Sequence, residues 1–403
     1  MKILAAPAHY IIADDYGSEP YWSYKIVDTL GRKGIDVTAI VGWADLKNAL
    51  YEKVKVRKIL KKGRSKNAFI EIFHKGKFPY DFYKIAENIL KNEEIDIIHH
   101  IEPMSDVAYN LLPILKKLKK PFIMGPAMPP QQVSSDDDFA RWLNVNYGFA
   151  SNIVKFGLKF VDKPLHILFK KTIIKADKVI CVTKNAKKHY SQYIDEEKIE
   201  VVPIGIEIER FTPNTNIPEN NKEINLLSVG YLLYRKGFHI LLKAMKEVLK
   251  EYPNTKLKIV GDGMQLEELQ RLTKKLDLGK NVEFCGFVPF TEIEKYYQEC
   301  DIFCNPTLSE PFGQVNIEAM ACGKTIVGSR VGALPEIITK DVGILVEPNN
   351  AEQLSHAIIN LIEDNEKREM MGKNARNRVE KYYSWDSVID QYIKIYRELL
   401  NEI

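Results

Sequence analysis

INLLSVGYLLYRKGFHILLKAMKEVLKEYPNTKLKIVGDG (224–263) reads as strand, helix, strand. INLLSVG is an apolar run of strand length that stops at Gly230. Gly237–Glu251 carries its apolar residues at helical spacing, and KLKIVGDG is a second buried strand ending in Gly261 and Gly263. Apolar strands joined through a helix are the unit of a parallel sheet covered on both faces.

The alternation extends in both directions. Upstream, MKILAAP, DVTAIVG (36–42), IDIIHHI (95–101), PFIMGP (121–126), ADKVICVT (176–183) and KIEVVPIG (198–205) read as strands. Helical patterns fall at Tyr21–Lys33, Lys84–Lys91 and Ala108–Leu118. Downstream, NVEFCGFV, DIFCNPT, KTIVGSR and VGILVEP continue the set. The polar, turn-rich FTPNTNIPENNKE (211–223) separates two α/β halves as a linker. At 403 residues the chain is too long for one ordinary core, which agrees with two domains.

Composition excludes several classes. No run of about 18 apolar residues predicts a transmembrane helix. The opening MKILAAPAHYII reads as a buried strand rather than a signal peptide, because it runs directly into the turn-prone DDYGSEP. Cys181, Cys285, Cys300, Cys304 and Cys322 lack CxxC or Cys/His ligand spacing, so reduced thiols of a cytoplasmic protein are expected. Asp14 and Asp15 have no third ligand at a recognisable spacing, and no metal is expected. The net charge is only +4, but residues 51–66 are intensely basic and residues 151–171 interleave lysines with Phe and Leu. Such segments suit peripheral contact with an anionic membrane at its inner face, with a solvated amphipathic helix as the plain alternative. Nucleic acid is not expected, since no recognition motif accompanies the charge.

The chemistry concentrates in TLSEPFGQVNIEAMACGKTIVGSRVGALPE (307–336). Glu310 falls on a loop, a helix opens near Phe312 and Gly313, and Glu318 lies within it. A Gly-containing loop that runs into a helix leaves backbone N–H groups open to an anion. A carboxylate on each side suits the hydroxyls of a sugar nucleotide. The plain alternative is a solvated Glu at a loop end and a second Glu on an exposed helix face. Lys236, with Arg235 beside it and Gly237 after it, starts a helix and suits a diphosphate. Other suggestive positions also end strands: Gly17, Ser18 and Glu19, the His99–His100 pair, Gly230, Gly261 and Gly263. Ligands of open parallel sheets bind beyond such ends, so a cleft between the two sheets is the expected site.

The combination of GYLLYRKG, VGDG, VEFCGFVP, SEPFGQVNIEAMACGKTIVGSRVGALPEII and GILVEP resembles the retaining GT-B glycosyltransferases of family 4. The N-terminal half matches more loosely, through GSEPYWSYKIVDTLGRKGIDVT, DIIHH and VVPIGIEIERF. The resemblance implies two Rossmann-like doubly wound domains facing a central cleft. An N-terminal acceptor-binding domain would span 1–208 and a nucleotide-sugar domain 209–385, with the last helix, 386–403, crossing back. It implies a metal-independent, retaining enzyme with no cofactor. Such an enzyme moves a sugar from a UDP- or GDP-sugar to a hydroxyl acceptor, either a sugar or a lipid-linked precursor. The alternatives are a sugar-nucleotide epimerase and a non-catalytic nucleotide-sugar-binding subunit.

By the same resemblance Glu310 would contact the donor sugar, Glu318 the ribose, and Lys236 with Arg235 the diphosphate. Backbone around Phe312, Gly313, Gln314 and Val315 would complete the cradle, with Gly17 near the diphosphate. Where the family usually has Arg after the glycine of its GRL segment, this chain has Tyr231. Ile204 replaces the common Asn of the PNG turn. The donor-sugar histidine of the family ends an HxH pattern. Here the stretch is His99-His100-Ile101; strict register falls on Ile101, and the role is carried to His100.

Overall fold

The computed structural model describes residues 1–7, 10–12, 19–45, 50–59, 68–104, 109–129, 164–214 and 223–401. The chain divides into two compact units. One takes the described residues up to 129, then 164–205 and 385–401; the other takes those of 206–384.

The first unit contains strands Lys2–Ala5 (β1), Tyr10–Ile12 (β2), Asp36–Val41 (β3), Trp43–Asp45 (β4), Val54–Lys58 (β5), Ile97–Met104 (β6), Phe122–Ala127 (β7), Lys178–Cys181 (β8) and Ile199–Val201 (β9). Seven of them form one sheet in the order β5-β3-β1-β6-β7-β8-β9, and every pair in it is parallel. β2 and β4 pair separately. Helices Glu19–Arg32 (α1), Ala68–Asn92 (α2), Leu111–Leu115 (α3), 164–173 (α4) and Lys184–Tyr190 (α5) belong to this unit. Leu4, Ile98, Phe122 and Met124 of the sheet pack with Phe82 and Ala86 of α2, Phe169 of α4 and Tyr190 of α5. α3 is shorter than its pattern. Asn110 caps its start by accepting from the Leu112 N–H, and Lys116 is already extended.

The second unit has strands Ile224–Val229 (β10), Thr255–Val260 (β11), Val282–Gly286 (β12), Ile302–Asn305 (β13), Thr325–Ser329 (β14) and Gly343–Val346 (β15). Their order is β12-β11-β10-β13-β14-β15, all parallel. Helices Phe238–Glu251 (α6), Leu266–Lys275 (α7), Ile293–Glu299 (α8), Gln314–Ala321 (α9), Leu334–Ile337 (α10), Ala351–Glu363 (α11) and Asn365–Tyr382 (α12) accompany the sheet. The helix of the opening motif, α6, buries Phe238, Leu241, Leu242, Met245 and Val248 along one side. The strand order reverses between β10 and β13, which is the switch point where doubly wound sheets hold ligands. The chain returns to the first unit with Trp385–Leu399 (α13).

Two sequence expectations change. The basic stretch at 51–66 contains an edge strand, β5, whose Lys55, Arg57 and Lys58 are exposed; residues 60–66 lie outside the described part. Charged residues on an edge strand block further strand pairing, so a structural reason exists for these three charges. In the stretch at 151–171, residues 151–163 lie outside the described part, and Phe169 is fully buried rather than on a surface.

The His99–His100 pair is wholly inside the first unit, at 0% exposure for both rings. His99 Nδ1 shares a 2.7 Å hydrogen bond with the Tyr396 hydroxyl of α13. Burial, helped by the neighbouring His100, pushes His99 down to about 3. A folded value below the ordinary one means that stability is complete above about pH 6.5 and is lost as pH falls toward 3. His99→Gln is therefore expected to lose roughly 1 kcal/mol less stability per pH unit than the unsubstituted chain between pH 6 and 4. Urea unfolding across that range measures the difference.

Candidate active site in the second unit

Two loops meet at the switch point. The first follows β10 and runs through a 3-10 turn, Tyr234–Lys236, into α6. The second follows β13 and runs from Pro306 to Gly313. Backbone bonds join them: Leu308 N–H donates to the Arg235 carbonyl at 2.6 Å. Thr307 Oγ1 lies 3.0 Å from that carbonyl and 2.9 Å from the Ser309 carbonyl. Gly237, at φ +73, ends the turn, and any Cβ there would strike the Pro306 carbonyl. The close approach fixes Lys236 over the second loop.

Lys236 Nζ donates to Glu310 Oε2 at 2.6 Å. Both side chains are largely buried, at 14% and 7% exposure. The reading of Glu310 as a solvated loop carboxylate is therefore wrong. Lys236 and Glu310 are also not independent ligand groups, since each carries the other's countercharge. Arg235 Nη1 lies 3.5 Å from the Ser309 carbonyl.

α9 begins immediately after this pair. Its N-cap is Gly313, at φ +97, which offers no capping side chain. The first N–H groups of the helix, including those of Gln314 and Val315, face away from any intrahelical acceptor. Gln314 Oε1 is buried without a hydrogen-bond partner. Phe312 anchors the turn from beneath at 4% exposure. Asn316 donates to the Gly313 carbonyl at 3.1 Å and accepts from Asn305 of β13 at 3.1 Å, holding the helix start against the strand. The result is an N–H-lined helix start flanked by a cation and a carboxylate, a ready anion site.

Glu318 lies in the second turn of α9 at 5% exposure, so it is not on a solvated face either. Tyr297 of α8 donates to its Oε2 at 2.6 Å. Burial pushes the Glu318 carboxyl up to about 7, against the opposing pull of the Tyr297 hydroxyl and of Arg210. Tyr297 and Arg210 carry no local motif. They come together only through the fold, 21 residues separating Tyr297 from Glu318.

Gly230, Gly261 and Gly263 sit at the ends of β10 and β11, and backbone packing accounts for the last two; a Cβ on Gly230 would meet only the Lys236 and Phe238 side chains, at 4.0 Å. A Cβ on Gly261, at φ +136, would strike the Gly230 carbonyl, and one on Gly263 would lie 2.7 Å from the Leu232 backbone. Tyr231 projects from the same turn at 73% exposure. His100 belongs to the first unit, and Gly17 lies outside the described residues. Among the described residues no three His, Cys, Asp or Glu gather as a metal-binding group.

Two family models match the chain. "Glycosyltransferase Family 4" matches residues 23–210, and "Glycosyl transferases group 1" matches residues 210–378, the half that holds this site. The chain belongs to the family 4 glycosyltransferases. An uncharacterised glycosyltransferase of Methanocaldococcus jannaschii is 32% identical over 59% of this chain and 64% of that one. The chain thus spans just under two thirds of that relative's length. A phosphatidylinositol N-acetylglucosaminyltransferase component of Arabidopsis thaliana is 26% identical over 80% of this chain and 66% of that one. Among solved structures, sucrose-phosphate synthase of Thermosynechococcus elongatus aligns over 100% of both chains with TM-score 0.69 at 20% identity. An Anabaena protein solved with UDP and glucose aligns over 98% of this chain and 99% of that one with TM-score 0.65 at 18% identity. The fold of this glycosyltransferase is GT-B.

Removing one partner of the buried pair leaves an uncompensated charge. Lys236→Met and Glu310→Gln are each expected to destabilise the second unit by about 3 kcal/mol. The double variant should cost less than the sum of the two, while all three lose transfer. Urea unfolding combined with a transfer assay closes this double-mutant cycle.

Proposed function

We propose that this glycosyltransferase moves a sugar from a nucleotide-diphosphate sugar to a hydroxyl acceptor with retention of the anomeric configuration and without a metal. The observation that carries the reading is the Lys236–Glu310 pair beside the uncapped start of α9, at the switch point of the sheet. The diphosphate of the donor would lie against the helix start and Lys236, with Arg235 alongside. Glu310 would accept from hydroxyls of the donor sugar, and Glu318 from the ribose. UDP and glucose in the Anabaena neighbour support a sugar nucleotide of this kind.

As the C1–O bond to the diphosphate breaks, the ring gains oxocarbenium character and the leaving oxygen gains charge. Lys236 and the N–H groups of α9 stabilise that charge where it develops, an effect worth roughly 3 kcal/mol for one well-placed donor. The acceptor oxygen forms its bond to C1 on the face the diphosphate leaves. Its proton passes to the departing phosphate oxygen, so no enzyme nucleophile is needed. Glu310 acts by orientation, because Lys236 already occupies one of its oxygens.

A lipid-linked acceptor at a membrane surface completes the reading. The phosphatidylinositol in the name of the Arabidopsis relative supports it, as does the surface of the first unit. Ile167 and Ile174 are 55% and 56% exposed, and Lys171 and Lys175 are exposed beside them in the chain. Apolar side chains among lysines suit an anionic lipid surface.

A thermal-shift series with UDP, GDP and ADP should show stabilisation by one of the three. Its sugar derivative should then give a product whose anomeric NMR coupling matches the donor. Inverted coupling rejects retention, and interconversion of the donor alone would indicate epimerase chemistry instead. The chain should co-sediment with phosphatidylserine vesicles at low salt, and Ile167→Glu with Ile174→Glu should reduce this severalfold. Equal sedimentation with neutral vesicles rejects the charged-surface reading.

A further inference from the structure

The pairing of Tyr297 with Glu318 joins two polar groups that the fold has buried. A phenol and a carboxylate are brought together inside a unit where two apolar side chains of similar size would fit at less cost. Tyr297 is fully buried, and its ring is gripped by Phe211 and Phe303 at centroid distances of 6.0 and 5.6 Å. Phe211 packs in turn on Phe290, over which the Arg210 guanidinium lies at 4.2 Å. Arg210 is anchored by Glu294 at 3.1 Å. The phenol thus has one placement, and its hydroxyl points at Glu318 Oε2.

We propose that Tyr297 is a positioning residue for nucleotide binding: its hydroxyl holds Glu318 oriented and ionised, ready to accept from the two ribose hydroxyls of the donor. The inference rests on the ribose role proposed above for Glu318. A carboxylate accepts at about four lone-pair sites, so a bond from Tyr297 at one oxygen leaves capacity for a vicinal diol. A protonated carboxyl would present its own O–H and accept less well. Ionisation is therefore part of the fit.

The groups that face this carboxylate set its charge. From α8 comes the Tyr297 hydroxyl, and from the segment before the linker comes Arg210; both favour the ionised form against burial. Cys300 and Cys322 lie close by, and burial pushes both thiols well above neutrality, so they stay neutral. Lys324 is tied to the Gln298 carbonyl at 2.9 Å, and Arg376 to the Ala321 carbonyl at 2.8 Å. Nucleotide affinity then falls as pH drops through about 7, where Glu318 takes up its proton. Without the Tyr297 hydroxyl the carboxyl rises further, and the fall begins at higher pH.

Calorimetric binding of UDP, GDP and ADP, each against its 2′,3′-dideoxy analogue, tests this between pH 5.5 and 9. For the nucleotide that binds most tightly, the intact ribose should show the pH edge and the dideoxy analogue should not. Tyr297→Phe should bind roughly tenfold more weakly at pH 7 and recover toward pH 9, whereas Glu318→Gln should be weak and flat with pH. A Tyr297→Phe variant with the affinity and pH edge of the unsubstituted chain overturns the role of Tyr297, and so does a loss that is equal at every pH. If Glu318→Gln binds both nucleotide forms like the unsubstituted chain, the ribose reading itself fails. Failure of all three nucleotides to bind removes both. The ribose-against-dideoxy comparison uses the unsubstituted chain and stands even if a variant folds poorly.

Discussion

A carboxylate out of water needs a named partner, and the candidate site of this glycosyltransferase is built around two of them. Glu310 takes Lys236 and Glu318 takes Tyr297, each at 2.6 Å. The two solutions differ in kind. The first is a cation that neutralises the charge; the second is a neutral donor that leaves the charge in place. Consequently Glu310 stands in a balanced pair, and Glu318 is the group whose proton moves near neutral pH. The surrounding architecture serves these pairings. The loops from β10 and β13 must interlock for Lys236 to reach Glu310, and α8 must lie beside α9 for Tyr297 to reach Glu318.

Sheet topology makes this economical. Reversal of strand order between β10 and β13 leaves their adjacent carboxyl ends uncovered by a crossover helix. The first loop can then lie against the second, bonded through the Arg235 carbonyl to Leu308 and Thr307. Three demands coincide at one place: a gap in the sheet's covering, a helix start with open N–H groups, and a lysine already oriented by its turn. An anionic ligand would satisfy all three, and no capping side chain competes for the position.

Much of this was legible in the sequence, for a physical reason. Parallel strands buried on both faces are apolar throughout, so INLLSVG and DIFCNPT announce themselves, and the glycine-containing loop before α9 marks the helix start. β5 was not legible, because an edge strand bearing Lys55, Arg57 and Lys58 has the composition of a basic surface segment. Phe169 misled for the opposite reason: a helix that packs on a sheet alternates lysines with core residues, just as a membrane-facing one does. The burial of both glutamates could not be read either. It depends on Lys236 and Tyr297, which lie 74 and 21 residues away from their partners. Gly261 and Gly263 followed the pattern of a ligand loop, yet the backbone of the neighbouring turn already requires them.

The cost of ionising Glu318 bears on the ribose role proposed for it. A folded value of about 7 against an ordinary 4.5 corresponds to about 3 kcal/mol. For a carboxyl raised on folding, that cost is absent below the ordinary value, grows through the interval, and is complete above the folded one. Above that value the second unit is therefore less stable than it would be with this carboxyl protonated, by an amount comparable to a good fraction of a domain's net stability. A ligand that binds the ionised form would recover this cost, and the aromatic rings around Tyr297 hold the donor that favours that form. The ribose diol proposed above would do so by donating to the same carboxylate, which favours its ionised form. On the ribose role proposed for Glu318, nucleotide binding and its ionisation would be a single linked event, with Tyr297 setting the pH at which it occurs.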